Sequence, residues 1–397
     1  MSAPLEGLLV ADFSRVLAGP LATSMLADLG ARVVKVERPG AGDDTRHWGP
    51  PWTARSSSYF ECANRSKESV ELDLKDPADL SLARELARRA DVLVENHRSG
   101  ALESLGLGYA AVRAENPGVV YCSISGFGPG AGADLPGYDF LVQAVGGLMS
   151  ITGPAGGEPT KVGVALVDVL TSKDAVIGVL AALRHRERTG DGQHVQVNLL
   201  SSLLGSLANQ ASAFLATGES PGRMGNQHPS IAPYETLHCR NGVVAVACGN
   251  DGQFARLAAA LGRPALAEDP RFATNPQRVA HRSELVAALE SALAAEDAEL
   301  WLEVLREAGV PAGIVGDIGS ALALAERLGL EPVVELGDGG RQVRHPISYS
   351  GTDLRPPDPP PALGQDNESI RAWLHEPAAE ASADNFPVSP PGNRPRG

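Results

Sequence analysis

The chain has 397 residues, room for two domains and a sizeable core, and its 43% hydrophobic and 21% charged content excludes a globally disordered protein. A net charge of −14 opposes nucleic-acid backbones and anionic membrane surfaces, so an anionic ligand needs a local basic site. There is no N-terminal charged-then-apolar leader and no apolar run near ~18 residues. Cys62, Cys122, Cys239 and Cys248 show no CxxC or other ligand spacing. The expectation is a soluble, cytoplasmic protein with reduced, buried thiols, no metal, and no nucleic-acid or membrane partner.

Leu8–Asp12 reads as a short apolar strand. Gly19-Pro20 opens a helix, since a proline costs no hydrogen bond in a first turn; Leu21, Met25, Leu26 and Leu29 point inward and Gly30 ends it. Arg32–Glu37 is the next strand, and Ser69–Leu74 another after a Gly/Pro/Trp-rich loop. Asp76 caps a helix with Leu80, Ala83, Leu86 and Ala87 on one face. Val92–Glu95 and Val119–Ile124 continue the alternation, which predicts a parallel α/β sheet with ligands beyond its strands' carboxyl ends. Those ends point to Ser14, Arg15, Arg38, Asn96 to Arg98 and Ser125 to Gly128. Gly126–Gly132 has the glycines of a dinucleotide loop but the wrong spacing, and Pro129 interrupts it; a mobile loop is expected.

Further on, the pattern predicts a helix over Tyr138–Met149, a strand or extended approach at Lys161–Leu166, a long helix over Asp174–Arg188, a strand at His194–Asn198 and one apolar helix over Leu199–Leu215. A Gly/Asn/Pro loop from Gly218 then leads to a compact α+β unit. Its strand is Val243–Ala247, and its helices are Asp251–Leu261, Glu284–Leu293 and Asp297–Ala308. A helix at Ser320–Leu328 and strand pieces near Val333 and Val343 read as a return to the first domain. The expected organisation is residues 1–217 for the N-terminal part of a large domain, 218–317 for the small domain with its linkers, 318–376 for the return, and 377–397 for a proline-rich tail.

No phosphate loop, HExxH or Gly-x-Ser-x-Gly elbow occurs, and the nine histidines form no metal-binding spacing. What remains is carboxylates in unusual places. Asp168 follows the apolar run Val162–Val167 and precedes a long helix. From pattern alone it is either a helix N-cap or a reactive carboxylate held out of water.

A resemblance separates those two. Asp12-Phe-Ser-Arg-Val-Leu-Ala-Gly-Pro20 is followed by Leu29-Gly-Ala-Arg-Val-Val-Lys-Val-Glu-Arg-Pro-Gly40, Asn64-Arg65-Ser66-Lys67 and Leu72-Asp73-Leu74-Lys75. Then come Asn96 to Gly100, Leu105-Gly106-Leu107-Gly108-Tyr109, Gly163-Val164 before Asp168, and Arg188-Thr189-Gly190-Asp191-Gly192-Gln193. Gly249-Asn250-Asp251, Gly309-Val310-Pro311-Ala312-Gly313 and His345-Pro346 close the series. Over roughly residues 5 to 375 this succession resembles the family III CoA-transferases, the group that includes formyl-CoA and carnitine CoA-transferases.

The resemblance implies a Rossmann-like large domain built from both chain ends, a smaller inserted α+β domain, and an interlocked homodimer. It implies no tightly bound cofactor; coenzyme A acts as co-substrate, with an acyl-CoA and a carboxylic acid as partners. Asp168 matches the family's nucleophile, which forms an acyl anhydride and then an aspartyl-CoA thioester. As an aspartate it is expected to be ionised at neutral pH without a partner base. Val16, Arg38, Leu72, Lys75, Asn96, His97 and Arg98 match CoA-binding positions, and Ser104 stands where the family has a basic residue. Without the resemblance, Arg38 and Lys75 read as surface charges, Leu72 as core, and Asn96 and His97 as turn formers. Tyr138 and Asp139 match the acyl pocket, and Gly225, Asn226 and Gln227 the lid, with one glycine where some members have a run. The rival readings are an alpha-methylacyl-CoA racemase, which needs a His-Asp pair where this chain has Tyr138-Asp139, and a non-catalytic CoA-binding protein. Arg223, Gln227 and His228 suit a second carboxylate, as in a dicarboxylic substrate such as succinate.

Overall fold

Six strands form the principal sheet: Leu9–Asp12 (β1), Arg32–Glu37 (β2), Lys67–Glu71 (β3), Val92–Glu95 (β4), Val120–Ser125 (β5) and His194–Asn198 (β6). In the computed structural model, which describes residues 3–352 and 354–377, they lie in the order β3-β2-β1-β4-β5-β6 with every neighbouring pair parallel. β1 is buried at all four positions, as a strand covered on both faces must be. The strand order reverses between β1 and β4, which leaves a crevice outside their carboxyl ends.

Helix Pro77–Arg89 packs Leu82, Ala83, Leu86 and Ala87 into the core, and Asp76 caps it by accepting from the Ala78 and Asp79 N–H groups. Leu80, expected inside, is only partly buried. Helix Asn367–His375, which the pattern missed, sends Ile370 and Leu374 into the same core. The chain leading into it covers the free edge of β3. Ser69 N–H donates to Asp366 Oδ2 (2.8 Å) and Glu71 N–H to Asn367 Oδ1 (2.7 Å), so the open ladder is not left as a template for other strands.

The chain divides into two units: the first holds Met1–Gly146, Val162–Ser212 and the chain from Pro332 on, the second Gly147–Lys161 and Ala213–Glu331. The second unit is therefore wider than the expected 218–317. It takes in residues 147–161 and the helix Ile318–Arg327, and the return to the first unit begins only at Pro332. The crossings fall where composition does not change, so nothing local marks them. All of the expected tail but Pro377 lies outside the described residues.

Within the second unit, Tyr234–His238 (β7), Val243–Ala247 (β8) and Ala312–Ile314 (β9) form an antiparallel sheet in the order β7-β8-β9. Leu237, Val244 and Val246 share a core with Phe254, Leu257, Leu285, Leu289 and Trp301. Arg278 is fully buried there: it donates to the Ala232 and Phe272 carbonyls (2.7 and 2.9 Å) and to Asp251 Oδ1 (2.7 Å). Val333–Glu335 (β10) and Arg341–Val343 (β11) pair antiparallel in the first unit.

Three stretches depart from the pattern. Tyr138–Met149 is not one helix: Asp139–Val145 ends at Gly146, and Gly147, at φ +91°, starts the short helix Leu148–Ile151. Leu199–Leu215 breaks at Leu207 into helices Leu199–Ser206 and Ala208–Thr217, bent by 80°, with Ala208 at φ +44°. No single helix among the described residues is long and apolar enough to cross a membrane. Finally, no strand forms over Lys161–Leu166, and the following helix runs Leu166–Thr189 instead of starting at Asp174. Of the four thiols, Cys122 and Cys248 are buried, whereas Cys62 is exposed and Cys239 partly so.

Register places Asp12 of β1 beside Lys35 of β2, and Lys35 beside Ser69 of β3. Lys67 Nζ donates to Asp12 Oδ2 (3.0 Å) and Asn64 Oδ1 (2.9 Å), while Lys35 Nζ donates to Asp43 Oδ2 (3.0 Å) and the Ser14 carbonyl (2.9 Å). Arg46 pairs with Glu37 at 2.7 Å. Three cations thus offset three carboxylates beneath the crevice. Burial works against the charge on Asp12, but Lys67, Lys35 and the Ser14 and Thr23 hydroxyls outweigh it and hold its pKa down at about 2. Burial brings Lys67 down to about 8 despite Asp12. Replacing Asp12 with Asn leaves the buried Lys67 ammonium without its carboxylate partner. The expected loss in urea unfolding is about 3–5 kcal/mol, and a loss under ~1 kcal/mol contradicts this picture.

Candidate active site

The crevice is stitched by the residues that leave β1 and β4. Ser14 N–H and Oγ–H both donate to Asp12 Oδ1 (2.9 and 2.5 Å), which turns the chain as β1 ends. Arg15 N–H donates to Asn96 Oδ1 (2.9 Å), and Asn96 Nδ2 returns a bond to the Arg15 carbonyl (2.7 Å). The His97 Nε2–H donates to the Phe13 carbonyl (2.9 Å). Burial, with Arg15 and Lys35 nearby, lowers the His97 pKa despite that bond, so its ring is neutral at pH 7. Val16 adopts φ +70°, a strained conformation for a β-branched residue, while its N–H donates to Asp43 Oδ2 (3.1 Å).

Two cavities open here. One, of about 410 Å³, has Asp168 in its wall with Val16, Asn96, His97, Arg98 and Tyr138. The other, of about 660 Å³, combines Arg38 and Lys75 with the apolar surface of Val36, Leu72, Leu74 and Leu105. Arg15 and His97 line both. The seven residues expected to hold CoA therefore fall into two groups that meet at His97. The loop after β5 walls the first cavity, and its two ends touch: a Cβ on Gly126 would lie 2.4 Å from Gly137 Cα. A loop expected to be mobile is thus pinched shut at its base.

Helix Leu166–Thr189 begins after Ala165, which has no side chain to cap it. A helix start leaves N–H groups that need acceptors. Asp139 provides one from another helix. Its Oδ1 accepts from Val167 N–H (2.7 Å) and Asp168 N–H (3.3 Å), and its Oδ2 from Gln143 Nε2 (2.6 Å). Fully buried Gln143 also accepts Val162 N–H (2.9 Å), which binds up the stretch expected to be a strand. The cap is Asp139, and Asp168 stands in the first turn of the helix, its carboxylate hydrogen-bonded to none of the described residues.

Burial first, and the Asp139 charge second, push the Asp168 pKa to about 7. It is therefore only about half ionised near neutrality, which corrects the expectation of a fully ionised side chain. Tyr59, which sequence reasoning missed, lies in the same electrostatic surroundings. Burial, then the charge of Asp168, raises its phenol to about 12, so it stays protonated. It comes from the four-residue helix Ser58–Glu61, too short to leave a periodic signal.

The chain matches the family described as CoA-transferase family III over residues 5–367. This chain belongs to that family. It is 43% identical over 382 residues to the succinate–glutarate CoA-transferase of Agrobacterium fabrum, covering 94% of this chain and 96% of that protein. To the acetyl-CoA:oxalate CoA-transferase of Acetobacter aceti it is 40% identical, covering 95% and 97%. Among solved structures, a CAIB/BAIF family protein from Brucella suis superposes with a TM-score of 0.85 at 44% identity, over 94% of this chain and all of that one. The protein is a CoA-transferase, moving CoA between an acyl-CoA and a carboxylate.

The remaining candidates of this transferase belong to the second unit. Gly225 N–H donates to the Gly153 carbonyl (3.0 Å), Asn226 Nδ2 to Thr236 Oγ1 (3.0 Å), and Gln227 N–H to the Met224 carbonyl (3.2 Å); all three residues are exposed. Arg223 Nη2 donates to the Gly157 carbonyl (2.6 Å), and its buried Nε has no partner among the described residues.

An Asp139→Asn variant keeps an oxygen for the helix start and removes the charge beside Asp168. The acid limb of kcat/KM against pH is expected to move down by roughly one unit. A limb that stays in place means Asp139 does not set the Asp168 ionisation.

Proposed function

We propose that Asp168 is the nucleophile of this CoA-transferase. The observation that carries this reading is a carboxylate on the cavity wall, held at a helix start, with a pKa raised to about 7 by burial and Asp139 and with no cation among the described residues offsetting it. Asp44 and Asp134 in the same cavity are instead paired with arginines.

The reaction balances without proton transfer. An Asp168 oxygen attacks the thioester carbonyl; the C–S bond breaks, CoA leaves as the thiolate, and a mixed anhydride remains. The thiolate attacks the aspartyl carbonyl of the anhydride, the donor acid leaves as its carboxylate, and Asp168 carries CoA as a thioester. The acceptor carboxylate then displaces the thiolate to give a second anhydride, and the thiolate takes the acceptor's acyl carbon and frees Asp168. A partly buried carboxylate suits this sequence, because removing water raises its nucleophilicity and protects the anhydride from hydrolysis. In the CoA path, the cavity with Arg38, Lys75 and Leu72 takes the nucleotide end, and the chain to the thiol passes Arg15 and His97 to Asp168. Gly225, Asn226 and Gln227 are proposed as the lid on the resemblance of their stretch to the family's.

The assembly in this reading is a cytoplasmic homodimer. Phe140, Val145, Val164 and Ile177 of the first unit are large apolar side chains left exposed, in keeping with a partner surface. Light scattering in solution is the measurement for it, and a mass of one chain contradicts it.

For the acid pair we infer a dicarboxylate. The two relatives are named for succinate and glutarate and for oxalate, and Arg223 retains a buried Nε with no partner among the described residues. Arg223→Ala is expected to lower dicarboxylate turnover about tenfold or more while sparing monocarboxylates, and unchanged selectivity removes this role. Asp168→Ala is expected to lose transferase activity by at least about 10⁴-fold. In the wild type, mass spectrometry after incubation with acyl-CoA alone should find CoA on the peptide holding Asp168. An active alanine variant, or CoA on a different residue, overturns the assignment.

A further inference from the structure

We propose that Asp44 competes internally with phosphorylated ligands of this transferase, its carboxylate taking the place between Arg15 and Arg38 that a CoA phosphate would occupy. The inference rests on the CoA path proposed above.

Asp44 follows Asp43, whose carboxylate is fixed by Lys35 Nζ (3.0 Å), Thr45 N–H (3.0 Å) and Thr45 Oγ–H (2.8 Å). The backbone that presents Asp44 is therefore anchored to the buried ion network. Its two oxygens go to different cations: Arg38 Nη2 donates to Oδ1 at 2.5 Å, and Arg15 Nη1 to Oδ2 at 3.5 Å. Arg38 lines the larger cavity, Asp44 the cavity of Asp168, and Arg15 both. The bridge thus stands where the two cavities meet. One anion spanning two guanidiniums is the arrangement that a phosphate, with more oxygens and more charge, reproduces and exceeds.

The side chains of Asp44, Arg15 and Arg38 are 39%, 50% and 60% exposed. Exposed pairs of this kind are weak, so a phosphate can displace the carboxylate. A pantetheine thioester brings no phosphate and leaves the bridge closed. By holding both arginines, Asp44 lowers the gain that a phosphate draws from them. The Arg98–Asp134 pair nearby, 75% and 81% exposed, joins one cation to one anion and does not bridge the cavities.

The test is calorimetric binding of CoA, dephospho-CoA and pantetheine to wild type, Asp44→Asn and Asp44→Ser, at low and high salt. Both variants are expected to bind CoA about three- to tenfold more tightly at low salt, with pantetheine unchanged and the gain shrinking as salt screens the arginines. A wild type that binds CoA, with variants that bind it no better or gain equally for pantetheine, overturns the role of Asp44 and leaves the transferase reading standing. A wild type that binds no CoA in either salt overturns the CoA path itself.

Discussion

The carboxylate of Asp139, accepting from the Val167 and Asp168 N–H groups, determines what Asp168 is free to do. A helix start attracts an anion through both its unpaired donors and its dipole. Had Asp168 supplied that anion itself, its carboxylate would be hydrogen-bonded, stabilised and a poor nucleophile. With Asp139 in place the attraction is already satisfied, and what reaches Asp168 is burial and a like charge. Gln143 holds this arrangement from behind, because its amide joins Asp139 to the backbone that leads into the helix.

The crevice in front of Asp168 depends on the ion network below it. Placing Asp12, Lys35, Glu37 and Lys67 in three strands, with Asp43 and Arg46 in the segment after β2, costs desolvation energy, and well-packed apolar residues would stabilise the sheet at least as well. What the charges add is geometry. Asp12 turns the chain after β1, Asp43 holds Val16 in a left-handed conformation, and Lys35 ties the Ser14 carbonyl to Asp43. The loops that line both cavities are thereby fixed by directional bonds.

The parallel sheet was legible because its strands are short apolar runs bounded by helices: Arg32–Glu37, Val92–Glu95 and His194–Asn198 have the bounds the pattern assigns. Asp76 was legible as a cap because its donors, the Ala78 and Asp79 N–H groups, lie two and three residues away. Asp139 was not legible as the cap of another helix, since that bond joins residues 28 positions apart. The same holds for Asp44, which only the fold brings to both Arg15 and Arg38, and for Arg278, whose charge gives no sign of burial. Asp168 itself lay between two readings from local pattern, and resemblance to a family separated them. The second unit's extent was hidden because the chain passes between units within the helix Ala208–Thr217 and at Glu331, where composition stays the same.

In the proposed mechanism the nucleophile is Asp168, which burial and Asp139 keep from ionising until near neutral pH. The direct measurement is the carboxyl carbon resonance of Asp168, taken as the difference between wild type and Asp168→Asn in protein labelled at the aspartate side-chain carboxyl, and followed with pH. The resonance should titrate with a midpoint near 7. A midpoint at about 4, where an ordinary aspartate titrates, contradicts the account.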